Sequence, residues 1–544
     1  MLEGFKGTRH NTPNDVSRAI SVSAHPNGLP AVNLLKAMSA VSGMTLVSRV
    51  LGLTREILAA TWFGAGAQMD AFNVAFRAPN MLRRLFAEGA FTQAFVPVLA
   101  ELRAKQTATE NAAFVSRVAT LMATVLILLV AIVAIYPEPL VRLLASGFYA
   151  TPEKAAIAES LTRITFGYIG WVSLVALMGA VLNVEKKFAV VAFAPVLLNA
   201  MMIGCAWWLR DRYAVPVTAL AIGVFAGGAA QFILMVWALR QIGFRFVWDF
   251  NWRDPDVARV LKLMVPALLG VSAAQISLLI NTQIASTMPT GTVSWLSYAD
   301  RLMEFPTAIL GVAAGTIILP SLVRRHAASD WDGYSRLLDW GLRVTLLLTL
   351  PAALALILLS TPLVATLFHH GRFTAIDVQA TQAAVAAYGI GLTGLVMVKI
   401  LAPAFYARRE IGAVVKCSLA SLVLTQVMNV IFILGLNLPG HVALALSVGL
   451  GACANAALLF VVLRMREIYE LQPGWGPYLL RLLIAATTMS IAIWFLSGES
   501  RHWVNIGALT RAAWLGGLTV VGIVVYFGTL MALGWRPREF FRQE

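Results

Sequence analysis

Charge is scarce in this chain of 544 residues: Asp, Glu, Lys and Arg together make up 13% of it. That is about half the share of an ordinary soluble protein, which excludes a conventional soluble domain, and with 59% hydrophobic residues a disordered chain is excluded too. Acids are scarcer than bases, 27 against 42, for a net charge of +15. The bases form no single patch. They fall in short clusters between long apolar runs, which argues against a nucleic-acid partner and for a polytopic membrane protein obeying the positive-inside rule. Cysteine is nearly absent as well. Cys205, Cys417 and Cys453 lie in apolar stretches with no CxxC or Cys/His pairing, so neither a disulfide framework nor a metal site is expected. Gly64-Ala65-Gly66 is too short for a phosphate loop and reads as a turn, and His369-His370 reads as a solvated loop end. Residues 1–31 lack the apolar core of a cleaved signal and read as a disordered cytoplasmic tail. Val32-Asn33-Leu34-Leu35-Lys36 resembles a second start, so the segment ahead of it need not belong to the native protein.

What the chain has in abundance is apolar runs. A helix needs about 20 such residues to cross the hydrocarbon core, and about fourteen segments qualify. They cover roughly 34–62, 70–101, 114–145, 157–184, 188–209, 216–240, 258–287, 292–323, 337–368, 376–407, 411–435, 442–465, 477–497 and 508–533. An even number puts both ends on one side. With that side inside, inner segments carry roughly threefold more Lys and Arg than outer ones, which places both termini in the cytoplasm. Phe95-Val96-Pro97-Val98-Leu99 ends the second segment and Ile318-Leu319-Pro320-Ser321-Leu322 the eighth. Repeats six crossings apart share an orientation, as in transporters built from parallel repeats. The expected architecture is an all-α integral membrane protein. Two six-helix lobes, 32–240 and 241–466, are related by a pseudo-twofold along the membrane normal, and helices 13 and 14 follow in 467–544.

Several charges fall inside these apolar segments: Arg49, Arg55, Arg77, Arg83, Arg84, Arg301 and Lys399. An Arg at mid-bilayer costs about 2.5–3.5 kcal/mol on insertion scales, so such residues face a wet cavity or pair with acids. Acids stand close by at Glu56, Asp70, Glu88, Asp300 and Glu304. Asp70, Arg77, Arg84 and Glu88 share one helix face, and Glu88 follows Arg84 at pairing distance. Pro79 and Pro306 are expected to interrupt their two helices. If the charged faces of both lobes meet, they enclose a cationic cavity whose guanidinium forks suit a phosphate or diphosphate. Arg49, Arg83 and Arg84 also read as snorkelling residues near helix ends. Lys399, with no acid nearby, reads equally as structural.

Ser48-Arg49-Val50-Leu51-Gly52-Leu53-Thr54-Arg55-Glu56 resembles the MurJ/MviN-type lipid II flippase family. So do Asp70-Ala71-Phe72, the run from Phe76-Arg77-Ala78-Pro79-Asn80 through Arg83-Arg84 to Glu88, and Tyr298-Ala299-Asp300-Arg301-Leu302-Met303-Glu304-Phe305-Pro306. The resemblance implies a multidrug/oligosaccharidyl-lipid/polysaccharide exporter fold in the bacterial cytoplasmic membrane. It implies transport of an undecaprenyl-diphosphate-linked peptidoglycan precursor from inner to outer leaflet by alternating access. Its cavity arginines fall on Arg49, Arg55, Arg83 and Arg301 and its acids on Asp70, Asp300 and Glu304, with Glu56 where many relatives have Asp. Ser48, Arg77, Asn80, Arg84 and Lys399 are secondary candidates. The lipid tail is implied to lie against helices 13 and 14.

Some relatives bind sodium through carboxylates in the second lobe. Gln275, Asn281, Gln426, Asn429 and Asn455 offer only neutral ligands here, which argues against sodium more than for it; the membrane potential or protonation of a cavity acid is expected to drive reset, with a monovalent cation as the alternative, and no cofactor is expected. Expected partners are lipid II, membrane lipids and other cell-wall synthesis proteins. Competing readings are an exporter of another polyprenyl-linked saccharide, a drug antiporter, a membrane glycosyltransferase and a signalling scaffold. Against the antiporter, a cavity rich in arginine repels cationic drugs. Against the enzyme, there is no long outer loop and no DxD-type carboxylate pair.

Overall fold

A computed structural model describes residues 34–86 and 90–536, and no β-strand occurs among them. The expected tail, 1–31, and Glu88 lie outside the described residues. The first half of the chain forms α1 (Leu34–Phe63), α2 (Ala67–Phe86), α3 (Ala90–Lys105), α4 (Ala108–Ile135), α5 (Glu138–Ala145), α6 (Pro152–Phe166), α7 (Tyr168–Val184), α8 (Phe188–Leu209) and α9 (Thr218–Gln241). The second forms α10 (Pro255–Ser286), α11 (Thr292–Ala327), α12 (Trp331–Leu358), α13 (Ser360–Phe368), α14 (Ala375–Ala407), α15 (Ile411–Val430) and α16 (Gly440–Met465). Then come α17 (Trp475–Ser497), α18 (Ser500–Asn505) and α19 (Ala508–Ala532).

Among the described residues, ten helices are long and apolar enough to cross a membrane: Thr109–Ile135, Pro152–Val184, Phe188–Arg212, Thr218–Gln241, Trp331–Leu358, Ala375–Ala407, Ile411–Gly435, Gly440–Met465, Trp475–Ser497 and Ala508–Ala532. Helices also lie over the four other expected segments, 34–62, 70–101, 258–287 and 292–323. Three of those four, on α1, α2 and α11, hold all of the charges singled out above that fall among the described residues except Lys399, which lies on α14. Pro79 and Pro306 do not break their helices; each lies inside a continuous one, α2 and α11. In an apolar medium, neighbouring helices compensate the hydrogen bond that a proline removes.

Packing partners recur between the halves. α1 packs on α8 as α10 does on α15; α2 on α6 as α11 on α14; α8 on α9 as α15 on α16; α7 on α9 as α14 on α16. Across the halves, α5 meets α10 and α13 meets α1, while α2 runs beside α11. α17 and α19 pack on one another and dock on α12 and α13.

Candidate functional site: a polar seam between the halves

The seam lies along α2 and α11. Ser294 donates to Asp70 from its backbone N–H (2.9 Å) and its hydroxyl (2.7 Å), and Ser297 Oγ donates to Asn73 Oδ1 at 3.4 Å. Arg77 faces Asp300, and Arg84 Nη2 reaches Glu304 Oε1 at 3.1 Å. The sequence separation stays between 220 and 224 along these hydrogen bonds. A constant separation means that the two helices run parallel, each polar residue of α2 meeting one level of α11. Asp70, Arg77 and Arg84, seven residues apart, do share one face, and that face is turned to the other half.

The seam has two chemically distinct ends. At one, Asp70 is 1% exposed and fully committed: besides Ser294 it accepts from Lys154 Nζ at 2.8 Å and from the Gly291 N–H at 2.8 Å. Around it, Tyr298 donates to the Gly64 carbonyl at 3.0 Å, Trp295 Nε1 to Asp377 at 2.8 Å, and the Arg372 N–H to the Thr61 carbonyl at 2.9 Å. The helix ends here touch through glycine. A Cβ on Gly371 would overlap the Thr61 carbonyl and one on Gly147 the Ser286 carbonyl, so only glycine permits these approaches.

Further along, the seam opens into a cavity lined by Arg55, Glu56, Asn73, Arg77, Asn80, Ser297 and Arg301 over a floor of Phe72, Phe76, Met202 and Leu220. Arg55 comes from α1, Arg77 from α2 and Arg301 from α11, so both halves contribute guanidinium groups. Glu56 pairs with Arg55 and takes Arg301 Nε at 3.4 Å; Arg301 Nη1 then reaches Glu304 Oε2 at 2.9 Å, and Glu304 reaches Arg84. The result is an alternating chain, Arg55–Glu56–Arg301–Glu304–Arg84, buried at Glu56 and half-buried toward Arg84, in which each charge has a counter-charge. From α8, Asn199 Oδ1 accepts from Arg55 Nη1 at 3.0 Å and fixes its direction. The chain's arginines outnumber its acids by one, which leaves it with a net positive charge.

A sequence profile described as "Lipid II flippase MurJ" matches residues 59–513. Among curated proteins, the chain is 46% identical over 518 residues to "Lipid II flippase MurJ" of Burkholderia cenocepacia, covering 94% of this chain and 100% of that one. It is 38% identical over 513 residues to "Probable lipid II flippase MurJ" of Vibrio cholerae, covering 93% and 97%. This chain belongs to the MurJ family. A solved structure titled "Lipid II flippase MurJ, inward closed conformation" superposes with a TM-score of 0.77 at 25% identity, covering 92% of this chain and 99% of that one. An inward-facing MATE transporter of the MOP superfamily superposes at 0.64 and 14% identity, covering 79% and 98%, which shows a shared fold.

Within this MurJ-family chain the expected site residues divide into groups. Arg55, Glu56, Arg77, Asn80 and Arg301 line the cavity, and Arg84, Asp300 and Glu304 extend it. Arg49 is not part of the wall; it stands within electrostatic reach of Lys399, whose Nζ donates to the Thr307 carbonyl at 3.2 Å. Arg83 turns aside to Asn80 Oδ1 at 3.2 Å, and Ser48 contributes its carbonyl, which accepts from Asn199 at 3.2 Å. Asp70 is no cavity acid, because four donors consume it at the closed end. Two cations that the sequence does not single out are buried as well: Lys154 on Asp70, and Arg511 donating to the Ala365 carbonyl at 2.7 Å and toward His369 Nδ1 at 3.1 Å. Asn199 was missed altogether, although a lone Asn in so apolar a helix was the available signal. Among the described residues, no group of three or more His, Cys, Asp or Glu could hold a metal.

Proposed function

We propose that this protein is a lipid II flippase of the bacterial cytoplasmic membrane, carrying its cargo from the inner to the outer leaflet by alternating access. The observation that carries this reading is the convergence of Arg55, Arg77 and Arg301 from both halves on one polar cavity inside an otherwise apolar helical body. Names of relatives agree with it. Under this proposal the fourteen segments all cross the membrane, the two halves are pseudo-twofold lobes along the membrane normal, and both termini are cytoplasmic. The Asp70 end is then periplasmic, and the conformation described is closed to the outside.

The mechanism follows from exchange of counter-charges. In the empty cavity Glu56 and Glu304 hold the arginines, which keeps the desolvated guanidinium groups affordable within the membrane. A diphosphate offers more acceptor oxygens and more charge than a carboxylate, and Arg presents a planar fork to it. It displaces the two glutamates, draws Arg55 and Arg301 together across the seam, and so binds the inwardly closed form more tightly than the open one, which is what shifts the population. Arg49 and Lys399, within electrostatic reach of one another and, for Lys399, of Glu304, add positive charge that attracts the headgroup. Reset is assigned to the membrane potential, worth about 2.3 kcal/mol per charge across 100 mV, or to a monovalent cation.

The test is depletion of the native protein with replacement by variants, paired with an assay of lipid II accessibility in reconstituted vesicles. Arg55→Ala and Arg301→Ala each remove one of the two arginines that hold Glu56 and one of the guanidinium groups offered to the headgroup, and each is expected to lower transport about a hundredfold or more and to abolish growth while the protein still inserts. Normal growth and flipping by both variants would overturn the proposal.

A further inference from the structure

Helices α4, α7 and α9 leave between them an apolar groove of about 1230 Å3 on the flank of the first half, away from the seam. Ile127, Val130, Leu174, Phe232 and Val236 form its walls, and Ile127 at 62% exposure stands at its open edge. One end is shaped by the connection between the halves, residues 242–254, which lies along α4 as a strap. The Val247 N–H donates to Ser116 Oγ at 3.3 Å, the Asp249 N–H to Thr120 Oγ1 at 3.1 Å, and Arg117 pairs with both Asp249, at 2.7 Å, and Asp254. The Asn251 backbone N–H and the Arg117 guanidinium hold the Asp249 carboxyl below its ordinary range, so this clamp stays charged at neutral pH. Phe246 and Trp248 of the strap face the groove, and beside them stand Arg240 and Arg245. Neither arginine has an ion-pair partner among the described residues.

We propose that this groove is a binding site for an anionic glycerophospholipid, with an acyl chain along α4, α7 and α9 and the phosphate on Arg240 and Arg245. Inside a bilayer an apolar wall gains no hydrophobic free energy by exchanging one chain for another. A groove of this size must be filled, since empty space forfeits dispersion contacts, but filling alone selects nothing. Selection comes from the strap end, where two unpaired guanidinium forks meet aromatic rings of the kind that settle at headgroup level. The bound lipid would join the strap to α4 and α9 at the connection between the halves. The inference needs the chain to sit in a membrane; it does not depend on what the seam transports.

The test uses the full-length protein in vesicles doped with phosphatidylglycerol carrying a diazirine on its acyl chain, compared with phosphatidylcholine carrying the same chain. The anionic probe is expected to label peptides of α4, α7 and α9, and R240Q/R245Q to lower that labelling roughly tenfold. G170L supplies a steric block: a Cβ on Gly170 meets no atom within 4 Å, so the side chain grows into the groove without disturbing packing. It is expected to remove labelling here and leave labelling elsewhere intact. Equal labelling by both probes on the native protein, labelling indifferent to both variants, or displacement of the anionic probe by a polyprenyl chain would each overturn the proposal. Since photolabelling needs no turnover, a failed transport assay leaves this result standing, and the reverse holds too.

Discussion

Asp70 and Glu56 are both buried carboxylates on the seam, and their partners give them different tasks. Asp70 satisfies Lys154, Gly291 and Ser294 in fixed geometry with no room for a ligand, so it joins the halves. Glu56 shares two arginines beside open space, so its contacts can be exchanged. Asp70→Asn leaves the Lys154 ammonium buried without a counter-charge, and loss of one partner of a buried pair costs about 3–5 kcal/mol. The expected result is a marked drop in the thermal midpoint of the purified protein. Adding Lys154→Met should recover most of the drop, because the stranded charge is then gone. A single variant as stable as the parent would show that the pair contributes nothing to closure. Residue type and spacing were enough to single out both acids. Their division of labour was not legible, because it depends on Lys154, which lies 84 residues away from Asp70 and reads as an ordinary loop lysine.

At the scale of elements, hydropathy located the helices well because apolar length is what the bilayer demands of a crossing segment. Even the charged helices α1 and α11 were found this way, within a few residues of their ends, whereas the single segment 70–101 covers two helices, α2 and α3. Prolines misled, since Pro79 and Pro306 are absorbed within α2 and α11. Helix contacts were not legible at all. α14 and α16 approach so closely that a Cβ on Gly391 would overlap the Gly449 backbone, and one on Gly394 would come within 2.6 Å of Cys453. Small residues spaced along two facing helices let backbones meet where no hydrophobic effect drives association. Gly391→Leu is therefore expected to destabilise the second half by about 1–3 kcal/mol or more, as overpacking does. Gly204→Leu, on the exposed face of α8 with no atom within 4 Å of its Cβ, should cost nothing. Thermal unfolding of the two variants side by side checks the contrast, and equal midpoints would contradict the packing argument.

For the whole molecule, the two chemistries of the seam imply a division between a latch and a binding chamber on one axis. At one end Asp70, Lys154 and Ser294 are buried and hydrogen-bonded to one another; a few turns along α2 and α11, the same interface becomes an exchangeable chain of charges. A transporter that alternates must break the first kind of contact while it holds cargo with the second, so tethering the latch should stop the cycle without touching the arginines. Asn73 and Ser297 meet across the seam at 3.4 Å, in the part of the chamber wall next to the latch. In a background with Cys205, Cys417 and Cys453 replaced by Ala, Asn73→Cys with Ser297→Cys can be bridged by a short bis-methanethiosulfonate reagent. The bridged protein is expected to lose lipid II transport in vesicles, and a thiol reductant should restore it to the level of the unbridged pair. In each single-cysteine variant, treated identically, transport should change with neither the reagent nor the reductant, whatever its starting level. Full transport by the bridged protein would mean that α2 and α11 stay together during the cycle, and that the opening to the far side lies elsewhere than along this seam.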